Sequence, residues 1–205
     1  VYAAFMLRIS TVLAALTVIT SVTVAYLTTG NPMGTVKVTL LRSYGGTAFD
    51  DLANFELWRL ATAQLVHAKQ AHMLLNAALL LLLGNLVEAR TGGLKAFSVW
   101  LLAGGIGTAI SPVLIEAPWN IGTGASQATF AFAGCAAVLA LSGTIRGLSA
   151  WALISLTLLT GFGLDMIYAG YPKPGHVTGF LLGACIGAVC RPARNRQEGS
   201  WTDKG

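Results

Sequence analysis

A serine and a histidine each stand at the head of an apolar run, where a hydrocarbon side chain is expected. Ser126 lies in Gly124-Ala125-Ser126-Gln127-Ala128, and His176 opens Gly175-His176-Val177-Thr178-Gly179, with Gly183 four residues further on. A polar or ionisable residue at membrane depth costs free energy, so it faces a protein interior or a water cavity and has work to do there. Serine becomes a competent nucleophile at neutral pH when a neighbouring imidazole takes its proton. The pair therefore suggests acyl transfer carried out inside a membrane.

That chemistry needs further parts. Donors are required for the oxyanion that develops on the attacked carbonyl. Ser126, starting a helix, offers its own backbone N–H backed by the helix dipole. His72 and Asn76, spaced i and i+4, project from one helix face and can both donate. His67, five residues before His72, reads as a residue that hydrogen-bonds the adjoining loop. No carboxylate falls inside the predicted apolar runs, so the expectation is a Ser/His dyad whose imidazole is held by packing. Phe130, one turn after Ser126, offers a ring for it to stack on. Gly179 and Gly183 share a helix face and, with Gly124 and Ala128, would let two helices approach closely enough for imidazole to meet hydroxyl. Each feature alone has a plainer reading. Gly-x-Ser-x-Ala arises by chance in a chain rich in Gly and Ala, and Gly-x-x-x-Gly is a common helix contact. His72 and Asn76 alone would serve as interhelical hydrogen-bond glue worth about 1 kcal/mol. Trp58-Arg59 alone reads as an interfacial anchor.

The elements that must position these residues are membrane helices. Hydrophobic residues make up 55% of the 205 and charged residues 10%, with a mean hydropathy of +0.68. A soluble domain would carry roughly a quarter charged residues. The net charge of +5 does not signal nucleic acid, because the basic residues sit between apolar runs and at the C-terminus rather than on one amphipathic face. Cys135, Cys185 and Cys190 are too scattered for a metal site or a disulfide framework. No nucleotide motif is visible, and neither a metal nor a cofactor is expected.

Six spans are predicted in a single membrane domain over residues 1–205: about 9–27, 72–87, 96–115, 126–141, 148–164 and 176–189, with a tail over 190–205. A full crossing takes roughly 20 apolar residues, so the fourth is short and would place Ser126 below the membrane surface. Arg8 before the first span resembles a signal-peptide flank, but no small-x-small cleavage site comes after it, and an uncleaved helix is expected. Residues 29–68 are too long for a bare connection and should be partly structured. Their Phe55-Glu56-Leu57-Trp58-Arg59 segment would lie in the interface plane. Arg8, Arg90, Lys95, Arg146, Arg191, Arg194, Arg196 and Lys204 fall on one side of a six-span chain. Lys37, Arg42, Arg59, Lys69 and Lys173 fall on the other. The positive-inside rule then makes both termini cytoplasmic and turns Ser126, His176 and the start of the second span outward.

Four motifs in this order resemble the rhomboid intramembrane serine proteases over nearly the whole chain. Glu56-Leu57-Trp58-Arg59 is similar to the family's Trp-Arg segment, and His67, His72 and Asn76 to its His-x-x-x-x-His-x-x-x-Asn pattern. Gly124-Ala125-Ser126 matches its Gly-x-Ser motif, and His176 to Gly183 its last-helix histidine motif. The resemblance implies an all-α, six-transmembrane-helix bundle with a long, partly structured first external loop and a water-filled cavity opening outward to Ser126. It implies Ser126 as nucleophile, His176 as general base, and His72, Asn76 and the Ser126 N–H as oxyanion hole. The partners implied are the lipid bilayer and transmembrane protein substrates, whose helices unwind near small residues and come in past the fifth helix. A bacterial inner (plasma) membrane is the expected location. Two departures stand out: Gln127 follows the serine where glycine is common, and Gly175 precedes His176 where alanine is usual. The competing readings are a catalytically silent relative that binds membrane-protein clients and a small transporter. The transporter lacks support in the absence of an internal repeat or a charged path.

Overall fold

Each of the six predicted spans is wholly or largely helical in the computed structural model, which describes residues 8–191. Four helices are long and apolar enough to cross a membrane: α1 (Ile9–Thr29), α5 (Gln70–Thr91), the continuous helix Gly93–Ile110 and α9 (Leu148–Tyr168). The third consists of α6 (Gly93–Ser98), a π-helical stretch (Val99–Gly104) and α7 (Gly105–Ile110). Two shorter apolar helices complete the bundle, α8 (Ser126–Leu141) and α10 (Pro174–Cys190). Among the described residues there is no strand, only an isolated bridge between Thr47 and Gly122.

The helix ends differ from the hydropathy expectation in two informative places. The third span stops at Ile110 instead of Ile115: Ser111 keeps helical backbone and still donates to the Gly107 carbonyl at 2.9 Å, but Pro112 has no N–H with which to continue the ladder. The fifth continues past Leu164 to Tyr168, which takes Asp165 into the helix. Arg194, Arg196 and Lys204 of the expected tail lie outside the described residues.

The core is centred on α8, where every residue from Ser126 to Ala136 is buried, together with Leu139. A helix apolar all round belongs in the middle of a bundle rather than at its surface. It packs most extensively against α10. A Cβ at Gly179 would come within 2.5 Å of the Gln127 carbonyl oxygen, and one at Gly183 would fall on the Ala131 carbonyl. Only hydrogen fits in that seam, as in close helix crossings generally. On the other side, α1 packs on α5. There Glu88 caps the start of α1, its carboxylate accepting from the N–H groups of Ile9 (2.9 Å) and Ser10 (2.8 Å). Helix N-termini carry four such unsatisfied donors, and a carboxylate is their best partner.

The segment between α1 and α5 is folded. It contains three short helices, α2 (Val38–Leu41), α3 (Phe49–Ala53) and α4 (Arg59–Thr62), plus one 3₁₀ turn at Arg42–Tyr44. Polar side chains hold it. Asp51 accepts from Arg42 (2.6 Å) and from the Ala48 N–H (2.8 Å). Burial alone would raise the pKa of this carboxyl, but those hydrogen bonds and the nearby Arg59 outweigh it and hold the group below its ordinary range. Arg59 donates to the carbonyls of Gly46 (2.6 Å) and Arg42 (2.8 Å) and to Glu56 (2.7 Å). The Thr47–Gly122 bridge then ties this loop to the strand-like stretch leading into α8.

Candidate active site

The start of α8 is built by its flanks. Gly124 has φ +97°, a left-handed conformation that favours glycine, and it turns the chain so that Ser126 begins the helix. The Gly124 N–H is held by the Ala63 carbonyl at 2.8 Å. The next N–H, that of Ala125, donates to His67 Nε2 at 3.0 Å. Because Ala125 can only donate, Nε2 accepts, and the neutral His67 ring carries its proton on Nδ1. Burial, with the neighbouring His72 second, pushes the pKa of His67 down to about 3, against the pull of the Leu65 carbonyl. Sequence spacing ties His67 only to the loop; in the fold it fixes the backbone just before the serine.

Ser126 and His176 come from adjacent ends of α8 and α10, and their side chains meet. Ser126 Oγ lies 2.9 Å from His176 Nε2. The imidazole lies parallel to the Phe130 ring, with centroids 4.4 Å apart, and Phe130 is itself braced edge-on by Phe162 of α9. Both Ser126 and His176 are buried, at the wall of a cavity of about 730 Å³ that His67, His72, Asn76, Phe130 and Gln127 also line. Asn76 Nδ2 approaches His67 Nε2 at 3.3 Å, which leaves its second N–H for the cavity.

One expectation is corrected here. A carboxylate does face the imidazole: Asp165 Oδ2 lies 2.6 Å from His176 Nδ1. The same oxygen accepts from the Lys173 N–H at 2.9 Å, and the Lys173 ammonium stands 3.7 Å from Oδ1. The predicted fifth span ends one residue short of this group. A lone acidic residue eleven positions before the histidine is the signal the sequence offers for it.

Two other predicted residues lie elsewhere. Trp58 and Arg59 do not line the cavity; the guanidinium stacks 4.4 Å over the exposed Trp58 ring while its nitrogens hold the first loop. Gly179 and Gly183 act at the α8–α10 seam below the site. Gln127 turns its amide back toward the serine, with Oε1 3.2 Å from Ser126 Oγ and 3.3 Å from Thr108 Oγ1, while Nε2 donates to Ser111 Oγ at 3.1 Å.

Comparison with known proteins agrees with this architecture. Residues 54–193 match the family model described as the Rhomboid domain, and the chain belongs to the rhomboid family, as an integral membrane protein. It is similar to Rhomboid-like protease 3 of Toxoplasma gondii, 27% identical over 154 residues that cover 67% of this chain and 52% of that protein. RHOMBOID-like protein 4 of Arabidopsis thaliana is 27% identical over 136 residues, covering 65% of this chain and 34% of its own. Rhomboid protease GluP of Bacillus subtilis (strain 168) is 28% identical over 153 residues, 73% of this chain and 29% of that protein. The chain thus spans about half, or less, of the length of these relatives.

Proposed function

We propose that this protein is an intramembrane serine endopeptidase that cleaves transmembrane segments of other membrane proteins. The observation that carries the reading is the 2.9 Å approach of Ser126 Oγ to His176 Nε2, buried at the wall of a cavity with polar groups. In this reading His176 Nε2 takes the hydroxyl proton while Oγ bonds to the scissile carbonyl carbon, whose π pair moves onto oxygen. The Ser126 N–H, His72 and Asn76 are the donors that steady the oxyanion. The imidazolium then gives its proton to the departing amine as the C–N bond breaks, and water repeats the cycle to free the acyl group.

The chain would cross the bilayer six times, through α1, α5, the 93–110 helix, α8, α9 and α10. Both termini would be cytoplasmic and the cavity would open to the outer face. The support is the distribution of basic residues and the common end of the bundle at which His72, Ser126 and His176 gather. Substrates are transmembrane helices that reach the cavity laterally past α9.

A second reading has one observation behind it. The Gln127 amide oxygen, 3.2 Å from Ser126 Oγ, competes with the imidazole for the hydroxyl proton, as in a silent relative that only binds clients. Labelling of detergent-purified protein with a fluorophosphonate probe separates the two. Wild type is expected to label and to cleave a transmembrane reporter, and Ser126→Ala and His176→Ala to do neither while staying folded. Cleavage persisting in Ser126→Ala would sink the protease reading. A folded wild type that does not label, and gains labelling as Gln127→Gly, would establish that the native chain is silent.

A further inference from the structure

Granted serine–histidine chemistry at Ser126 and His176, the reading on which a role for Asp165 rests, something must orient the base. His176 touches three groups: Ser126 on Nε2, Phe130 on its face, and Asp165 on Nδ1. A stacked aromatic ring fixes the plane of an imidazole but leaves its two nitrogens interchangeable. The carboxylate removes that ambiguity. Its oxygen already accepts from the Lys173 N–H, so it stands as an acceptor, and Nδ1 must be the nitrogen that donates to it. Nε2 is then unprotonated and faces the Ser126 hydroxyl, as a general base requires.

The setting supports a dedicated role. Asp165 is 1% exposed, and a buried carboxylate without partners is costly. Its partners are the imidazole, one backbone N–H and the half-exposed ammonium of Lys173. Capping the α9–α10 turn would need only the Lys173 N–H, which a solvent-facing side chain could take at less cost. Burial against the ring is what that simpler role leaves unexplained.

We propose that Asp165 is a positioning residue, holding His176 in the tautomer and orientation that accept the Ser126 proton, so that the site is a Ser–His–Asp relay rather than a dyad. Asp165 remains ionised throughout. The proton travels from Ser126 Oγ to Nε2 as the Oγ–C bond forms, and from Nε2 to the leaving amine as the C–N bond breaks. The carboxylate offsets the imidazolium charge in between.

The test compares Asp165→Asn and Asp165→Ala with wild type, Ser126→Ala and His176→Ala in detergent, reading kcat and KM on a transmembrane reporter, probe-labelling rate and thermal midpoint. Carboxylate removal in soluble triads costs about 10⁴-fold in kcat. Here Asp165→Ala is expected to lower kcat and the labelling rate by roughly 10²–10⁴-fold with KM unchanged. Asp165→Asn keeps the shape without the charge and should lose kcat too. It loses as much as Asp165→Ala where its amide N–H turns to Nδ1 and inverts the tautomer, and less where its carbonyl keeps the acceptor place beside the Lys173 N–H. It is also isosteric, and so decides the question if Asp165→Ala fails to fold. Both variants within about twofold of wild type in kcat would overturn the proposal. So would a loss that falls in KM or simply tracks the folded fraction. If wild type and Asp165→Asn are equally unlabelled, the hydrolase reading itself fails, and the relay with it.

Discussion

Along the seam between α8 and α10, carbonyl oxygens of one helix occupy the places where Cβ atoms of the other would sit. Along α9, by contrast, Ala150, Ile154, Thr157 and Asp165 are the buried residues of a 21-residue helix. Both regions feed the same site. The seam supplies the serine and the histidine on backbones already packed too closely to admit a Cβ between them. The flank supplies the carboxylate from a helix whose second half, after Thr157, has Asp165 as its sole buried residue. The reacting pair is thus set at 2.9 Å by one helix contact, while α9 reaches it through two side chains, Phe162 against Phe130 and Asp165 against His176.

The sharpest way to break the comparison is to put a side chain into the seam. Gly183→Ala already directs a methyl group onto the Ala131 carbonyl and is expected to cost about 1–3 kcal/mol, the range for overpacking a close-packed interior. Gly183→Val should exceed that and abolish both cooperative unfolding and probe labelling, as measured by thermal denaturation and a fluorophosphonate assay in detergent. A stable, labelled Gly183→Val would mean that the seam is loose and that the serine–histidine geometry is held by something else.

A second test acts through pH on the end of the seam where α8 starts. His67 accepts the Ala125 N–H while neutral, and its folded pKa is pushed down to about 3 from an ordinary 6.5. Between those values the unfolded chain binds the proton and the folded chain does not. The stabilisation is therefore complete above pH 6.5 and drains away as pH falls toward 3. At about pH 5 the loss is about 2 kcal/mol, at about 1.4 kcal/mol per unit. The thermal midpoint should fall across that window in wild type, and in His67→Gln the slope should flatten. An unchanged slope would remove His67 from the support of the α8 start.

How much of this was legible in the sequence divides along the same line. Ser126, His176 and Phe130 could be read because each breaks or accompanies an apolar run, and the seam because Gly179 and Gly183 repeat on one helical face. The α8 bounds matched at both ends for the same reason. Asp165 was illegible to hydropathy: the span is judged to stop at the charge, while the helix runs on through Met166, Ile167 and Tyr168. A carboxylate in that position looks solvated until a histidine from the next helix is seen beside it. The first loop was legible only as too long to be bare. Its order comes from Arg59 and Asp51 binding backbone carbonyls and N–H groups, contacts that have no periodicity. The helical break before Pro112 was announced by the proline and overridden by the apolar residues after it.

The smallest expected effect is on the outer face of α9, and it sharpens the comparison by contrast with the seam. Leu159 is 74% exposed, two residues from Thr157, which is buried on the same helix. In a bilayer such a side chain meets lipid tails about as apolar as itself, so its removal forfeits no packing within the bundle. Leu159→Ala is therefore expected to change the thermal midpoint in detergent by no more than the equivalent of about 0.5 kcal/mol, and to leave kcat as it was. A substitution at a buried position of the same helix, such as Ile154→Ala, should cost more, because it removes packed apolar contacts inside the bundle. If Leu159→Ala proved as damaging, the face it occupies would have to be packed against protein. A shift in sedimentation between wild type and variant would then identify a second copy of the chain as what covers α9.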